Sequence, residues 1–339
     1  CLGAYGIRND EIVYINAKSV VLATGGNGQA FERNMNPEDV TGDGYSMAYD
    51  AGAKLINMEF MQIGIGFSHP FKNIFNGYIW EGKPGLYDKD GKGIFESILP
   101  EGITSDDVMH KHRRHFPFST SDNSKYIEIA VHKAIKEGRG TANRGITIDL
   151  RNMTDDYVNS LEDDCGISHM WPIARDYIKS RGLDLLEETA EIACFAHAIN
   201  GGVLIDENAK TSIDGLYAAG ECAGGPHGAD RLGGNMMVTC QVFGEIAGRS
   251  AAQNAIRTTL EENLNLVASD KIQGDIKILY KDIDVDRLIH RLKVESQDKL
   301  LVNRTEEGLS NLLNIIAEIK DQILLAPEGR CINLKNSNL

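Results

Sequence analysis

The sequence lacks the features that define several large classes of protein. Of its 339 residues only eight are proline, and 35 Lys and Arg stand against 49 Asp and Glu, which gives a net charge of −14. An acidic chain of this kind does not favour a nucleic-acid partner. No apolar run reaches the roughly 18 to 20 residues of a membrane-spanning helix. We therefore expect no nucleic-acid partner and no transmembrane segment.

The cysteines are few and scattered. None of the six belongs to a C-x-x-C pair, the arrangement from which zinc and iron–sulfur sites are commonly built, so we expect no metal site. Scattered thiols are typical of the reducing cytosol, which predicts a cytoplasmic protein. The first residues lack the basic start and apolar stretch of a secretion signal, and there is no initiating Met. We expect the chain to be part of a longer protein.

The composition that is present, 42% hydrophobic and 25% charged residues, is that of a folded protein. At roughly 150 residues per domain, its length predicts two or three domains. Apolar runs with glycine turns occur in residues 18–27 and again in 201–220, whereas the region between them mixes a glycine-rich hairpin pattern with helical spacing. After about residue 254 glycine almost disappears. This pattern predicts an α/β domain in two parts, an inserted α+β domain and a C-terminal helical domain.

Residues 18–27 (KSVVLATGGN) place a β-branched apolar run before a pair of glycines. This predicts a buried parallel strand that ends at a tight turn. Ligands of open α/β sheets bind at the carboxyl ends of strands, so Thr24, Gly25 and Gly26 are predicted to contact one. An ordinary glycine turn is the alternative for this segment taken alone.

The segment 215–252 combines the groups that a cofactor site needs. An apolar strand leads to Gly220 and Glu221, a glycine-rich loop then carries His227 and Arg231, and Asn235 opens a long helix of small residues. A carboxylate can accept ribose or ribitol hydroxyls, a guanidinium binds anions, and the N–H groups at a helix start stabilise negative charge. Glycine loops also serve helix packing, which is the alternative interpretation.

Several motifs occur in one order along the chain. They are AKSVVLATGG, TGDGYSMAYDAGAKL, INMEFMQ, EGRG with IDLRNM beyond it, HAINGGVLID, GLYAAGECAGGPHGADRLGGN and NRTEEGL. In that order they resemble the succinate dehydrogenase and fumarate reductase flavoprotein family, which also includes L-aspartate oxidase. The resemblance covers most of residues 17–254 and part of the tail.

The resemblance implies an FAD enzyme in which hydride passes between flavin N5 and a substrate carbon, beside a mobile capping domain. The implied fold is α/β, with an incomplete FAD-binding Rossmann-like domain (1–57 and 198–256), an inserted α+β capping domain (58–197) and a C-terminal helical domain (257–339). The family's FAD contacts fall on Ala23, Thr24, Gly25, Gly26, Asp43, Glu221, Met236 and Met237. The family's ADP-binding G-x-G-x-x-G lies upstream of this sequence. We expect that part to have been cut away or to sit on another chain.

Three residues of this sequence match active-site residues of the family. His197, four residues before Gly201, matches the histidine that precedes the family's G-G, and Arg231 matches the arginine of its H-G-A-x-R-L loop. An imidazole and a guanidinium can together hold a carboxylate and favour the charge that develops on it. Glu81, in WEGKPG, matches a glutamate associated with proton delivery. The alternatives are a structural histidine, a surface arginine and a solvated loop acid.

Other family positions have changed. The F-H-P after M-E-x-x-Q is replaced by Ile63, Gly64 and Ile65, and the threonine and arginine of T-E-G-x-R-G are replaced by Trp80 and Pro84. The arginine that acts as the active-site acid falls on Ser124 without gaps, or on Ser121 with a three-residue gap. Candidates for a replacement proton donor are Lys83, Lys125, His110, His112, Arg113, Arg114 and His115, and His69 is a candidate for the lost histidine.

These losses bear on the substrate. A fumarate or succinate site must neutralise two carboxylates, and a buried carboxylate without partners costs several kcal/mol. We therefore expect an FAD-dependent oxidoreductase with one carboxylate-binding corner and a substrate other than fumarate. The alternatives are a fumarate reductase or succinate dehydrogenase with a relocated proton donor, and a degenerate, non-catalytic flavoprotein-like subunit. The expected partners are a small carboxylate and an electron-transfer subunit, through which the protein would lie at the membrane periphery.

Overall fold

A computed structural model describes residues 1–9, 11–74, 77–96, 98–114, 120–162, 166–260 and 284–324. The strands are β1 (Gly3–Arg8), β2 (Glu11–Asn16), β3 (Val20–Leu22), β4 (Leu55–Ile56), β5 (Met61–His69), β6 (Asn73–Ile74), β7 (Gly85–Tyr87), β8 (Ile146–Asp149), β9 (Ala190–Ile199), β10 (Gly202–Leu204), β11 (Leu216–Ala218) and β12 (Ala223–Gly224). The helices are α1 (Asp43–Asp50), α2 (Ser105–His112), α3 (Tyr126–Lys136), α4 (Asp155–Asn159), α5 (Ile167–Ser180), α6 (Asn235–Arg257), α7 (Val285–Ser296) and α8 (Glu306–Leu324). Short 3-10 helices span Gly28–Ala30, Gly77–Gly82, Asn123–Lys125 and Gly220–Cys222, and a π-helical turn spans Gln297–Leu301.

The main core surrounds a five-stranded antiparallel sheet in the order β6-β5-β9-β8-β7. Strands β5 and β9 lie next to each other and are buried along nearly their whole length, because helix α3 packs against them and other segments cover the sheet. The large side chains of Phe67, Phe195, Ile148 and Trp80 are fully buried there. Such continuous apolar strands need cover on both faces.

A second unit consists of the parallel pair β3 and β11, with helix α6 packed against both strands. The parallel pairing predicted for residues 18–27 is observed. The predicted burial is wrong, since Val21 is 39% exposed. Within the described ranges β3 pairs with β11 alone, so its side chains receive less cover than those of a central strand. Because parallel strands end at the same edge, the residues after β3 and after β11 lie together.

The three strands β12-β10-β4 join these two units. The chain passes from β9 to β10 through Gly201 and Gly202, where no side chain fits. A Cβ at Gly201 would lie 2.1 Å from the carbonyl oxygen of Asn57, and one at Gly202 would lie 2.4 Å from that of Cys222. The glycine pair therefore lets three backbone segments meet and holds the end of β9 beside the turn after β11.

One amide side chain of the C-terminal region bonds to two segments of the main unit. Gln297 accepts a hydrogen bond from the backbone N–H of Arg33 and donates one to the carbonyl oxygen of Cys194 on β9, at 3.1 and 3.0 Å. The described part of the C-terminal region forms the helices α7 and α8. None of the described helices combines the length and the apolar character that crossing a bilayer requires.

Candidate functional site

The carboxylate of Glu221 lies at the common edge of β3 and β11. Its Oε1 accepts a hydrogen bond from the backbone N–H of Ile199 at 3.0 Å, and its backbone carbonyl accepts one from the hydroxyl of Tyr45 at 3.0 Å. A Cβ on Gly26 would lie 2.4 Å from the same Oε1, so only glycine permits this approach. Burial raises the pKa of Glu221, while the N–H of Ile199 and the charge of Arg231 oppose that rise.

The other predicted cofactor contacts gather around this carboxylate. A Cβ on Gly44 would lie 1.8 Å from Thr24 Oγ1, so the start of α1, which carries Asp43, rests against the turn after β3. The side chains of Thr24 and Asp43 are exposed, as is Ala23. The structure thus brings Ala23, Thr24, Gly25, Gly26, Asp43 and Glu221 to one edge, where Glu221 is half-buried and Ala23, Thr24 and Asp43 are exposed.

Met236 and Met237 lie at the start of α6, which packs near the turn of Glu221. The residue before the helix, Gly234, has φ 81° and provides no side-chain cap, and the first turn contains no acidic residue. Met237 is 68% exposed. The N–H groups of Asn235 and Met237 donate to the carbonyls of Leu232 and Gly234, and no side chain caps the helix. Such a helix start favours an anionic group.

Arg231 is held by Gln62 in a reciprocal pair. The guanidinium Nε donates to Gln62 Oε1 at 2.8 Å, and Gln62 Nε2 donates to the backbone carbonyl of Arg231 at 2.9 Å. Nη1 donates to the carbonyl of Leu232 at 3.0 Å. Both side chains of the pair are buried, with Arg231 only 6% exposed. The surface-arginine alternative is therefore wrong.

Two imidazoles lie within electrostatic reach of this guanidinium. Burial, and after it the charge of Arg231, lowers the pKa of both His197 and His227. The backbone carbonyl of His197 accepts a hydrogen bond from Asn36 Nδ2 at 3.3 Å, and the amide of Asn200 donates to Ala229 in the loop before Arg231 at 3.2 Å. A lowered pKa favours the neutral imidazole, which presents one ring N–H donor.

Glu81 is buried within the short helix Gly77–Gly82 and is 5% exposed, so the solvated-acid alternative is wrong. The nearest guanidinium nitrogen of Arg113, also buried, lies 3.7 Å from Glu81 Oε1. The preceding residue, His112, pairs with the buried Glu128 at 2.5 Å between Nε2 and Oε1. Four ionisable side chains therefore share one buried region of the inserted segment.

The remaining candidates for a proton donor differ in position. Lys83 is exposed and pairs with Asp106 at 2.6 Å, and His110 and Arg114 are exposed. Ser124 is fully buried and Ser121 is exposed, and neither offers a charged group. His69 lies exposed at the far end of β5, roughly 20 Å along the strand from Gln62. Lys125 is half-buried and His115 lies outside the described residues.

Buried acceptors without donors test whether a cofactor rich in hydroxyl and N–H groups fits here. The amide oxygens of Asn27, Asn36 and Asn200 are buried and have no hydrogen-bond partner among the described residues. Native proteins rarely leave such groups unsatisfied. Asn36 donates to the backbone carbonyl of His197, and Asn200 donates to that of Ala229 in the loop before Arg231. Asn27 directly follows Gly26 in the chain. The residues present therefore fit a ligand that donates several hydrogen bonds, as FAD does.

Sequence reasoning missed the residues that position the others. Gln62 stands at the end of INMEFMQ, a motif used only for recognition, and its contact with Arg231 spans 169 positions of the chain. Asn36 and Asn200 gave no local signal, because their partners are backbone carbonyls on distant segments. Within the described ranges no group of three or more His, Cys, Asp or Glu side chains could hold a metal ion.

The raised pKa of Glu221 predicts a pH-dependent gain in stability for Glu221→Gln in FAD-free protein. A carboxyl with a raised pKa in the folded state stabilises the fold when protonated and loses that contribution as pH rises through its folded pKa. Gln keeps the acceptor for Ile199 without the charge. We expect the variant to unfold at higher denaturant concentration than wild type at pH 7, and the gain to vanish below about pH 4.5. Glu101→Gln, at an exposed site, is the control and should change little at either pH; an equal effect there would contradict the assignment.

The sequence and the fold match those of known flavoproteins. Residues 1–237 match the family model of an FAD binding domain. An FAD-dependent oxidoreductase of Methanocaldococcus jannaschii is 32% identical, with 99% of this chain and 58% of that protein covered. The flavoprotein subunit of fumarate reductase from Escherichia coli is 30% identical, with 95% and 52% covered. The structure of Mycobacterium smegmatis Sdh1 in complex with UQ1 matches with TM-score 0.78 at 25% identity, covering 99% of this chain and 54% of that one.

The extent of these matches defines the family. The chain spans about half the length of the curated relatives it matches. The matching family model covers well over half of this chain, including the edge that holds Gly26, Glu221 and Arg231. The chain therefore belongs to the succinate dehydrogenase and fumarate reductase flavoprotein family, whose cofactor is FAD.

Proposed function

We propose that the protein is an FAD-dependent oxidoreductase that transfers hydride between flavin N5 and a substrate carbon, with a substrate carboxylate held by His197 and Arg231. The observation that carries this proposal is the buried guanidinium of Arg231, oriented by Gln62 and within electrostatic reach of His197 and Glu221. A guanidinium fixed by Gln62 binds a carboxylate without first paying for its own ordering. The substrate we propose is a carboxylate other than fumarate.

The residues that would hold FAD are Ala23, Thr24, Gly25, Gly26, Asp43, Glu221, Met236 and Met237. Glu221 would accept hydroxyl hydrogen bonds, and the uncapped start of α6 would stabilise negative charge on the ring system. FAD supplies the hydride acceptor and donor when bound. The exposure of Ala23, Thr24, Asp43 and Met237 supports this assignment, because these residues are accessible to a ligand.

The substrate end of the site offers one carboxylate-binding corner. Arg231 and His197 bind and orient the anion, and burial of the guanidinium strengthens that attraction by excluding water. Around Gln62 the strand β5 continues with Ile63, Gly64 and Ile65, which are buried and provide no donor side chain. Ser121 and Ser124 provide no positive charge. A second carboxylate would therefore lack the partners that a buried charge requires.

A second candidate, fumarate reduction with a relocated proton donor, is favoured by one observation. Among the proposed replacements, Arg113 is buried and lies beside Glu81, with 3.7 Å between Nη1 and Oε1. In this alternative Arg113 holds the proton that the substrate carbon receives, and Glu81 supplies the next proton to it. The neighbouring pair of His112 and Glu128 fixes the end of α2 from which Arg113 extends.

The proposed partner and location follow from how the relatives are described. Those named fumarate reductase are described as subunits, and we propose an electron-transfer partner for this protein as well. The proposed location is cytoplasmic, or at the membrane periphery through that partner. The five-stranded sheet and its helices lie within residues 58–197 except for the last two residues of β9, and we propose this segment as the capping domain over the cofactor.

Gly26→Ala tests the cofactor assignment. The new methyl group would displace the Glu221 side chain, whose far end is flexible, so we expect a folded protein with at least about tenfold weaker FAD binding. The measurement is visible flavin absorbance per protein after purification and FAD titration. Gly248→Ala is the matched control, because a Cβ at Gly248 of α6 meets nothing within 4 Å. Wild-type protein that stays colourless with added FAD would contradict the proposal and favour a non-catalytic subunit.

Reoxidation of the chemically reduced flavin by fumarate separates the two candidates. We expect no fumarate-dependent reoxidation. If wild type does reoxidise, the relocated-donor candidate requires a loss of about a hundredfold or more in Glu81→Gln/Arg113→Gln, a double change that leaves no single buried charge unpaired. Arg114→Gln, at the exposed neighbour, is the control. Turnover that survives the double change would remove Arg113 as the donor.

A further inference from the structure

The loop between β12 and α6 carries a second imidazole, that of His227, for which the proposed reaction gives no role. Its Nε2 is buried and has no hydrogen-bond partner among the described residues. A buried polar nitrogen without a partner destabilises the fold. This unpartnered nitrogen lies in the loop that also carries Arg231, which indicates that a ligand supplies the missing acceptor.

One nitrogen of the Arg231 guanidinium, Nη2, is available to a ligand in the same loop. Nε and Nη1 are occupied by Gln62 and by the carbonyl of Leu232, whereas Nη2 makes no hydrogen bond to a described residue. Because Gln62 fixes the guanidinium plane, the direction of Nη2 is fixed as well. An anion that enters the corner can therefore bind Nη2 without disturbing the Gln62 pair.

The two imidazoles are carried by different segments. His197 stands near the end of β9, and His227 stands four positions before Arg231 in the loop. The amide of Asn200 donates to the carbonyl of Ala229 at 3.2 Å, so the loop between His227 and Arg231 is tied to the end of β9. Two tethered segments thus carry three donor groups, and the charge of Arg231 acts on both imidazoles. Three donor groups are enough for both oxygens of one carboxylate.

We propose that His227 is a second imidazole ligand of the substrate carboxylate, donating from Nε2 beside Arg231 Nη2 and His197. This inference rests on the proposed function and deepens it. With three donors on one carboxylate, the site can hold a ligand that has no second carboxylate. The class of ligand assigned is a small unsaturated monocarboxylate, for which crotonate is the simplest probe.

The test is crotonate binding to the FAD-loaded protein. The dissociation constant is compared among wild type, His227→Leu, which removes the donor, and His227→Gln, whose amide nitrogen can replace Nε2. We expect about tenfold weaker binding for the Leu variant and recovery to within about threefold for the Gln variant. His69→Leu, at the exposed far end of β5, is the matched control and should bind as wild type. Flavin content is measured for every variant and should not change.

A direct signal comes from the wild-type protein with isotope-labelled histidine. Crotonate should shift the ring resonances of His227 and His197 and leave those of His69 in place, a result that does not depend on whether a variant folds. Tight crotonate binding by wild type with equal affinity in His227→Leu, or with an unshifted His227 ring, overturns this inference and leaves the proposed function standing. A flavin-loaded wild type that binds neither crotonate nor fumarate overturns both.

Discussion

The reciprocal hydrogen-bonded pair between Gln62 and Arg231 is the interaction on which the candidate site depends. Gln62 belongs to the five-stranded sheet, and Arg231 belongs to the loop that leads into α6. A guanidinium that is almost fully buried needs partners, since leaving it unsatisfied costs several kcal/mol. Gln62 satisfies Nε while its own amide nitrogen holds the backbone of the same residue. One neutral side chain therefore fixes both the position and the plane of the charge.

Close backbone contacts bring the other groups to that charge. Gly201 and Gly202 let the end of β9 pass between two backbone segments, and Gly26 lets the carboxylate of Glu221 approach the turn after β3. Because Ile199 donates to Glu221, the strand that carries His197 is tied to the edge where the cofactor contacts gather. The proposed anion-binding corner and the proposed cofactor edge are thus connected, as the proposed hydride transfer requires.

Much of this arrangement was predictable from the sequence, because its signals are local. The apolar runs before glycine turns predicted the strands β3 and β11, which the structure pairs in parallel, and the sequence also predicted a helix that begins at Asn235. The burial of residues 18–27 was predicted wrongly, since it depends on what lies beside the strand and not on the strand's own pattern. The roles of Gln62 and Asn200 were missed for the same reason, as each contacts a segment far away in the chain. The pairing of Glu81 with Arg113 could be found only in three dimensions.

A double-mutant cycle on FAD-free protein measures this central interaction directly. The free energy of unfolding is compared for wild type, Gln62→Leu, Arg231→Met and the double variant. For the buried, oriented pair of the structure, the coupling energy between Gln62 and Arg231 should be about 1.5 to 3 kcal/mol. This is the range for hydrogen bonds to a charged group. Effects that add within about 0.5 kcal/mol would contradict the account, because the two side chains would then be independent.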